Sequence, residues 1–291
     1  MDYRFFKRIA AQNWRSALIA GAIVAPVLAA GTASSAQAVT SCPTAIKACG
    51  CQIKKKGTYS VTADLNAAQG LTPDGDCIEL KASRVTLHLN SHQITGPGGS
   101  SSDIGIDIRS GSNYDSIDGG SPDAAISGWK TGVESSGKDD TLSGIDASSN
   151  SLDGIEINKG SNNQLTSWSA ANNGAFGAWI KQGSGNSLSQ GSATGNGKGG
   201  VLVGCSSGGP SGEDCTGAGE SKTNDLHDDS VDSNGDYGVA LDTNSADTTV
   251  DTVSGSGNGS DDLLDDSCSG DSFVGDSFGN SSNSCPGGID S

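Results

Sequence analysis

The chain has 291 residues, 34 acidic against 17 basic, and a formal net charge of −17. So acidic a protein repels nucleic acid and anionic membrane, which removes both as partners and leaves cations, neutral glycans, or acidic glycans reached through a bridging metal. Glycine supplies 44 residues, about twice its usual share of roughly 7%, so either a regular repeat or disorder has to explain the composition.

Residues 1–38 read as a signal peptide. The opening "MDYRFFKRIAAQNWR" carries Arg4, Lys7, Arg8 and Arg15, an apolar stretch "ALIAGAIVAPVLAAG" follows, and "SAQA" sets Ala36 and Ala38 in a small-x-small cleavage pattern. The alternative, an uncleaved anchor, is opposed by Pro26 inside the apolar run. Cleavage before Val39 predicts a secreted or periplasmic protein, not inserted in a membrane, with a net charge near −20.

All eight cysteines follow that segment: Cys42, Cys49, Cys51, Cys77, Cys205, Cys215, Cys268 and Cys285. An even number in an exported chain predicts disulfides. Zinc is disfavoured, because the three histidines are scattered and Cys49-Gly50-Cys51 is not a usual metal knuckle. Cys205 with Cys215 and Cys268 with Cys285 are the natural local pairs. Three connectivities stay open among the first four. Residues 39–74 read as a cystine-stapled N-terminal cap, and 286–291 as a C-terminal tail.

From residue 75 to 285 the chain repeats. Glycine precedes a short apolar run at Gly105, Gly132, Gly154, Gly177, Gly200 and Gly238, with spacings of 27, 22, 23, 23 and 38. Asn150, Asn173, Asn196 and Asn234 each stand four residues upstream of such a glycine, and Asn258 continues the series with Asp262 in the glycine place. An apolar position recurs downstream at Ile117, Leu142, Leu165, Leu188, Val250 and Phe273. A period in the low twenties, with runs too short for helices, predicts a β-solenoid. The asparagines are expected at left-handed corners, stacked into a ladder, with glycine permitting close approach of coils. The 38-residue interval contains an insertion, residues 205–219. A leucine-rich horseshoe would need more leucine, and disorder would not keep an apolar residue in register over seven repeats.

Alternation along each strand then sorts the side chains. Ile106, Ile108, Ile155, Ile157, Val201, Val203, Val239 and Leu241 point inward. Outward, in coil order, come Glu79, Asp107, Glu134, Glu156, Trp179, Leu202 and Ala240, and beside them Lys81, Arg109, Ser136, Asn158, Lys181 and Asp242. Four carboxylates stacked about 4.8 Å apart repel one another unless neutralised. Arg109 is placed to brace Asp107 and Glu134, and Lys181 lies beside Trp179. Trp168, which aligns with Gly191 of the next coil, is expected to be exposed. The plain alternative makes all of these solvated cross-strand pairs.

The stretch "CGCQIKKKGTYSVTADLN…GDCIELKASRVTLHLNSHQITG" and the later rhythm "N-x-L … N-x-x-x-G-I-x-L" resemble the right-handed parallel β-helix proteins of the pectin-lyase-like class. The resemblance covers residues 49–285 and implies an all-β, single-domain right-handed parallel β-helix, here of about eight coils. In lyases of that class this strand face binds acidic glycan through calcium. The resemblance therefore implies calcium at Asp107, Glu134 and Glu156, a sugar held by Trp179, Lys181 and Asn158, and Arg109 as the base. Copper is opposed by the lack of any methionine beyond Met1, and ice binding by the scatter of threonine. The expected function is contact with extracellular polysaccharide by a monomer, binding ahead of cleavage. A structural or surface-display solenoid is the alternative, and a calcium-assisted polysaccharide lyase the third reading.

Overall fold

The computed structural model describes residues 40–98, 103–205, 210 and 219–283. The expected signal peptide, most of the 205–219 insertion, Cys215, Cys285 and the 286–291 tail lie outside the described residues. Among the described residues every element is a strand apart from one 3₁₀ turn at Ala67–Gln69, and the strand pairings are all parallel. The result is a β-solenoid. No helix among the described residues is long and apolar enough to cross a membrane.

One face of the solenoid is an eleven-stranded sheet running from Thr40–Ser41 to Ser281–Asn283. Its register stacks Ile78, Ile106, Val133, Ile155, Ala178, Val201, Val239 and Leu263 into one inward column. Leu80, Ile108, Ile157, Ile180, Val203 and Leu241 lie in the neighbouring one, and each of these six is at most 4% exposed. β-Branched and leucine side chains fill such a column because each rests on its counterpart one coil away. Leu87, Ile117, Leu142, Leu165, Leu188, Leu226 and Val250 close the core from a second face. Glycine precedes the inward column in seven of the eleven strands of this sheet, at Gly50, Gly105, Gly132, Gly154, Gly177, Gly200 and Gly238, and Cys77 and Asp262 take its place in two more. Gly50, directly before Cys51–Ile53, continues the column, and a Cβ there would lie 2.9 Å from the Leu71 backbone nitrogen.

The corners are built differently from the sequence expectation. Asn150, Asn173, Asn196 and Asn234 do stack, each Oδ1 accepting the backbone N–H of the preceding ladder residue at 2.9–3.1 Å. None of them is left-handed, however. The residue just before takes that conformation: Ser149, Asn172, Gly195 and Ser233 have φ of 60°, 56°, 66° and 57°. Asparagine is therefore selected for its amide, not its backbone. The glycine column serves close approach, as expected. A Cβ on Gly154 would lie 2.6 Å from the Gly177 carbonyl oxygen and 2.8 Å from Asn173 Nδ2.

A second ladder, Asp115, Asp140, Asn163, Asn186 and Asn224, runs up another corner with bonds of 2.9–3.0 Å. It too is preceded by left-handed residues, Tyr114, Asp139, Asn162, Gly185 and Thr223. Trp168, expected to be exposed, is 2% exposed. Its ring fills the space above Gly191, where a Cβ would come within 1.9 Å of it, so the large residue of one coil packs over the small residue of the next.

Residues 40–74 are continuous with the solenoid. Cys51–Ile53 pairs with Ile78–Leu80, and Ala45–Ile46 pairs with Ser60–Val61. Of the three open connectivities, the structure has Cys42–Cys51 and Cys49–Cys77. Cys205 and Cys268 are also disulfide-bonded. The insertion falls between Val203, still paired with Leu241, and Ser221, paired with Ser245.

Candidate functional site

The outward column of the long sheet is stacked as the sequence predicts, Glu79 on Asp107, Asp107 on Glu134, Glu134 on Glu156 and Glu156 on Trp179. It is not a solvated row. Glu79 and Asp107 are 0% and 2% exposed, and Arg109 lies over them. The Arg109 Nε is 2.6 Å from Glu79 Oε1 and 2.7 Å from Asp107 Oδ2, and its Nη2 is 2.8 Å from Asp74 Oδ2 and 3.2 Å from Asp76 Oδ2. Lys81 Nζ adds a contact to Glu79 at 2.9 Å, and Gln52 donates to its other oxygen. A fork of guanidinium donors suits such convergence, because it meets several carboxylates from one position.

Electrostatics follow from that packing. Burial pushes Asp107 up to about 8 and Asp76 up to about 6, with neighbouring carboxylates adding to the shift and Arg109 opposing it. Burial also raises Glu79, but hydrogen bonds from Lys81, Arg109 and Gln52 outweigh it and hold that carboxyl below its ordinary value. Desolvation pulls the Arg109 guanidinium down, yet the charges of Asp107, Glu79 and Asp76 raise it overall. A guanidinium kept protonated in this way has no free lone pair with which to accept a proton. Arg109, expected as the base, is here the counter-ion of a carboxylate cluster.

The expected calcium ligands are not brought together. Asp107 faces Arg109, Glu134 accepts from Asn158 Nδ2 at 3.2 Å, and Glu156 lies 3.6 Å from Lys181 Nζ. The acidic group whose carboxylate oxygens come within 4.8 Å of one another, among the described residues, is Asp74, Asp76 and Glu79. Its oxygens are the hard donors calcium takes, but Arg109 contacts all three, so an ion fits only if the guanidinium withdraws.

Trp179 offers no stacking face, being 2% exposed. Its Nε1 donates to the Gly204 carbonyl at 2.8 Å, its ring packs beside Phe176 at 5.7 Å, and Lys181 Nζ sits 4.3 Å from its centroid. The outward column turns apolar here, with Leu202 and Ala240 stacked above Trp179 and fully buried. Trp179 and Lys181 thus belong to a packed wall.

Asn158 alone of the three expected sugar contacts lines open space. A groove of about 590 Å³ runs beside the strand face, lined by Ser110, Gly111, Asn113, Ser136, Lys138, Asn158 and Lys159. It meets a shallower hollow at Ser110, which Asp74, Glu79, Lys81 and Arg109 complete. The groove spans three coils, positioned by the strands Ile104–Ile108, Thr131–Ser135 and Asp153–Ser161. A register shift at Asn158 interrupts the pairing of the last strand, and Lys159 takes φ 64° there. Such bulges re-aim side chains. Lys138 and Lys159 escaped the sequence reading because they lie past the apolar strand positions. The available signal was two lysines 21 residues apart, nearly one period.

A family profile described as right handed beta helix region matches residues 123–268, half of the chain. The enzymatically active domain of tailspike protein 2 from bacteriophage CBA120 is similar with a TM-score of 0.56 at 12% identity, over 80% of this chain and 37% of that one. The A-module of a mannuronan C-5 epimerase from Azotobacter vinelandii gives 0.48 at 14% identity, over 79% and 65%. A pectate lyase gives 0.40 at 15% identity, over 85% and 74%. This chain therefore spans less than two thirds of the epimerase module and little more than a third of the tailspike domain. At such identities the likeness is one of fold. No curated protein sequence matches the chain. The parallel coils, the stacked polar ladders and the profile match agree, and the chain belongs to the right-handed β-helix family.

Proposed function

We propose that this protein binds extracellular polysaccharide in the groove beside its long sheet, and does not cleave it. The observation that carries the reading is the groove itself, about 590 Å³ of open volume bounded by hydroxyl, amide and ammonium groups on a rigid wall. Ser110, Ser136, Asn113 and Asn158 present the hydrogen-bonding groups a polyol requires, and a parallel sheet holds them without further ordering cost. Cystines in the first coils support export to an oxidising compartment.

Binding is favoured over cleavage because no carboxylate lines the groove. Glycoside hydrolysis needs two carboxyl groups flanking the bond, and β-elimination needs a free base. Arg109 supplies neither. Calcium enters only as a competitor of Arg109 for Asp74, Asp76 and Glu79. A second reading, a structural or display solenoid, draws on the internal closure of the carboxylate cluster.

Native gels cast with neutral and acidic polysaccharides, each run with and without calcium, test the proposal. Retardation by at least one polysaccharide, reduced in Asn158→Ala, is the expected result. Unchanged migration in every gel overturns it in favour of the scaffold. Retardation that requires calcium would move the site to the Asp74–Glu79 hollow.

A further inference from the structure

Charge is segregated along the solenoid. Residues 40–63 hold four lysines and no aspartate or glutamate, whereas residues 223–283 hold fourteen aspartates and no lysine or arginine. Net charge excludes an anionic membrane only where the charge is spread evenly, and here the negative excess belongs to the far end. The Asp-rich coils begin six strands along the long sheet from Cys51–Ile53, about 30 Å away at 4.8 Å a step. At physiological salt exposed charges more than about 8 Å apart are largely screened, so each end acts on its own surroundings.

The basic end is organised at one corner. Lys54, Lys55 and Lys56 form the turn between the strands Cys51–Ile53 and Gly57–Val61, and all three are exposed. Register sets Lys81 beside Lys54 and Arg109 beside Lys81, while Arg84 stands beside Lys56. Lys81 and Arg109 are neutralised by the carboxylate cluster around Glu79. Lys54, Lys55, Lys56 and Arg84 form no ion pair among the described residues. Asp115 and Asp139, the carboxylates of the same corner, are engaged by Ser112 and Asn162. Four cations therefore face solvent on a frame pinned by Cys42–Cys51 and Cys49–Cys77.

Tyr114 adds an independent observation. It follows Arg84 one coil on, with the guanidinium carbon 5.7 Å from its ring centroid, and it is 59% exposed. Both residues take φ 59°, a left-handed conformation that long and aromatic side chains disfavour. Such outliers persist where the surrounding structure over-determines them, and they cluster at ligand contacts. Lysine and arginine suit any polyanion. An aromatic ring held out beside them fits the boundary between lipid headgroups and acyl chains, where one end of the ring is apolar and the other wet.

We propose that this corner docks the protein on an anionic phospholipid surface. Lys54, Lys55, Lys56 and Arg84 meet the headgroup phosphates, Tyr114 lies at headgroup level, and the Asp-rich coils point away. The contact is peripheral, and each cation near such a surface adds roughly fivefold in affinity. The proposal goes beyond the glycan reading and does not rest on it, since none of these five residues lines the groove.

The test uses the protein as the cell exports it, sedimented with vesicles of phosphatidylglycerol or of phosphatidylcholine. The expected result is binding to phosphatidylglycerol roughly tenfold tighter or more, lost at high salt. Lys54→Gln/Lys55→Gln/Lys56→Gln should weaken it by about a hundredfold and Arg84→Asn by about fivefold. Tyr114→Asn should weaken it while leaving its salt dependence unchanged, because the ring carries no charge. Asparagine is chosen at 84 and 114 because it tolerates the left-handed backbone. Lys222→Gln, in a distant coil, should bind as the wild type does.

Equal binding to the two vesicles, or binding to neither, overturns the proposal. Undiminished binding by the folded triple-lysine variant overturns the assignment to these lysines. Dextran sulfate bound more tightly than the vesicles, with Tyr114→Asn as tight as the wild type, overturns the lipid in favour of a soluble polyanion. Retention of the triple-lysine variant in the polysaccharide gels separates this proposal from the glycan reading, because the groove is intact in that variant.

Discussion

Single positions show where the sequence was transparent and where it was not. Asparagine every 23 residues announced a ladder, and Asn150, Asn173 and Asn196 form one. The outward column was equally legible, since alternation fixed its register from Glu79 to Ala240. Its burial was not, because alternation says which way a side chain points and nothing about what covers it. Trp179 was misread for that reason, whereas the expected bracing of Asp107 by Arg109 was legible. The second ladder supplies a prediction at this scale. Asp140 occupies a place held in the following coils by Asn163, Asn186 and Asn224, and burial pushes its carboxyl up to about 7. A folded-state value above the unfolded one means that the folded protein binds the proton more tightly. The wild type should therefore lose stability as pH rises from about 4 through 7. Asp140→Asn does not titrate, so thermal melts should show it more stable than the wild type by roughly 1–2 kcal/mol above pH 7, with the gap closing near pH 4. Equal melting at pH 8 would show that the carboxylate is better solvated than its packing indicates.

At the scale of one coil, the ladder couples each turn to the next. Asn196 accepts from the N–H and the Nδ2 of Asn173, both at 3.0 Å, and donates to Ala170 O and Asn234 Oδ1, both at 3.0 Å. Removing the amide orphans buried partners on both neighbouring coils, and an unmet buried group costs about 1–3 kcal/mol. Asn196→Ala should lower stability by about 3 kcal/mol in denaturant titration. Asn196→Asp keeps the acceptor and loses the donors, so its loss should be smaller at pH 4 than at pH 7, where the buried carboxylate would be charged. A loss under 1 kcal/mol for the alanine variant would mean that water replaces the amide. The repeat unit was the most readable feature of the chain, down to the 38-residue interval that locates the insertion between Val203 and Ser221. Gly50, in the same column before Cys51–Ile53, escaped the reading because cysteines flank it instead of an apolar run.

For the molecule as a whole, a solenoid's stability is a sum of coil and interface terms, and its ends are where it opens. The first coils are held by Cys42–Cys51 and Cys49–Cys77, which span 9 and 28 residues. By loop-closure entropy the longer bridge contributes about 3–4 kcal/mol, carried by coils 40–80 rather than by the groove. Composition could show that such bridges exist, but not their pattern. That depends on which cysteines the first two coils stack together, and Cys51 pairs in the sheet with Ile78, one residue past Cys77. In Cys49→Ser/Cys77→Ser, hydrogen exchange should speed up at residues 40–98 and stay unchanged at the Asn163–Asn224 ladder. Retention on the polysaccharide bound by the wild type should also survive, because the groove begins at Ser110, beyond the loosened coils. Uniformly faster exchange would show instead that the solenoid opens as one cooperative unit. In that case the N-terminal cystines would set the stability of the groove as well as of the coils they hold.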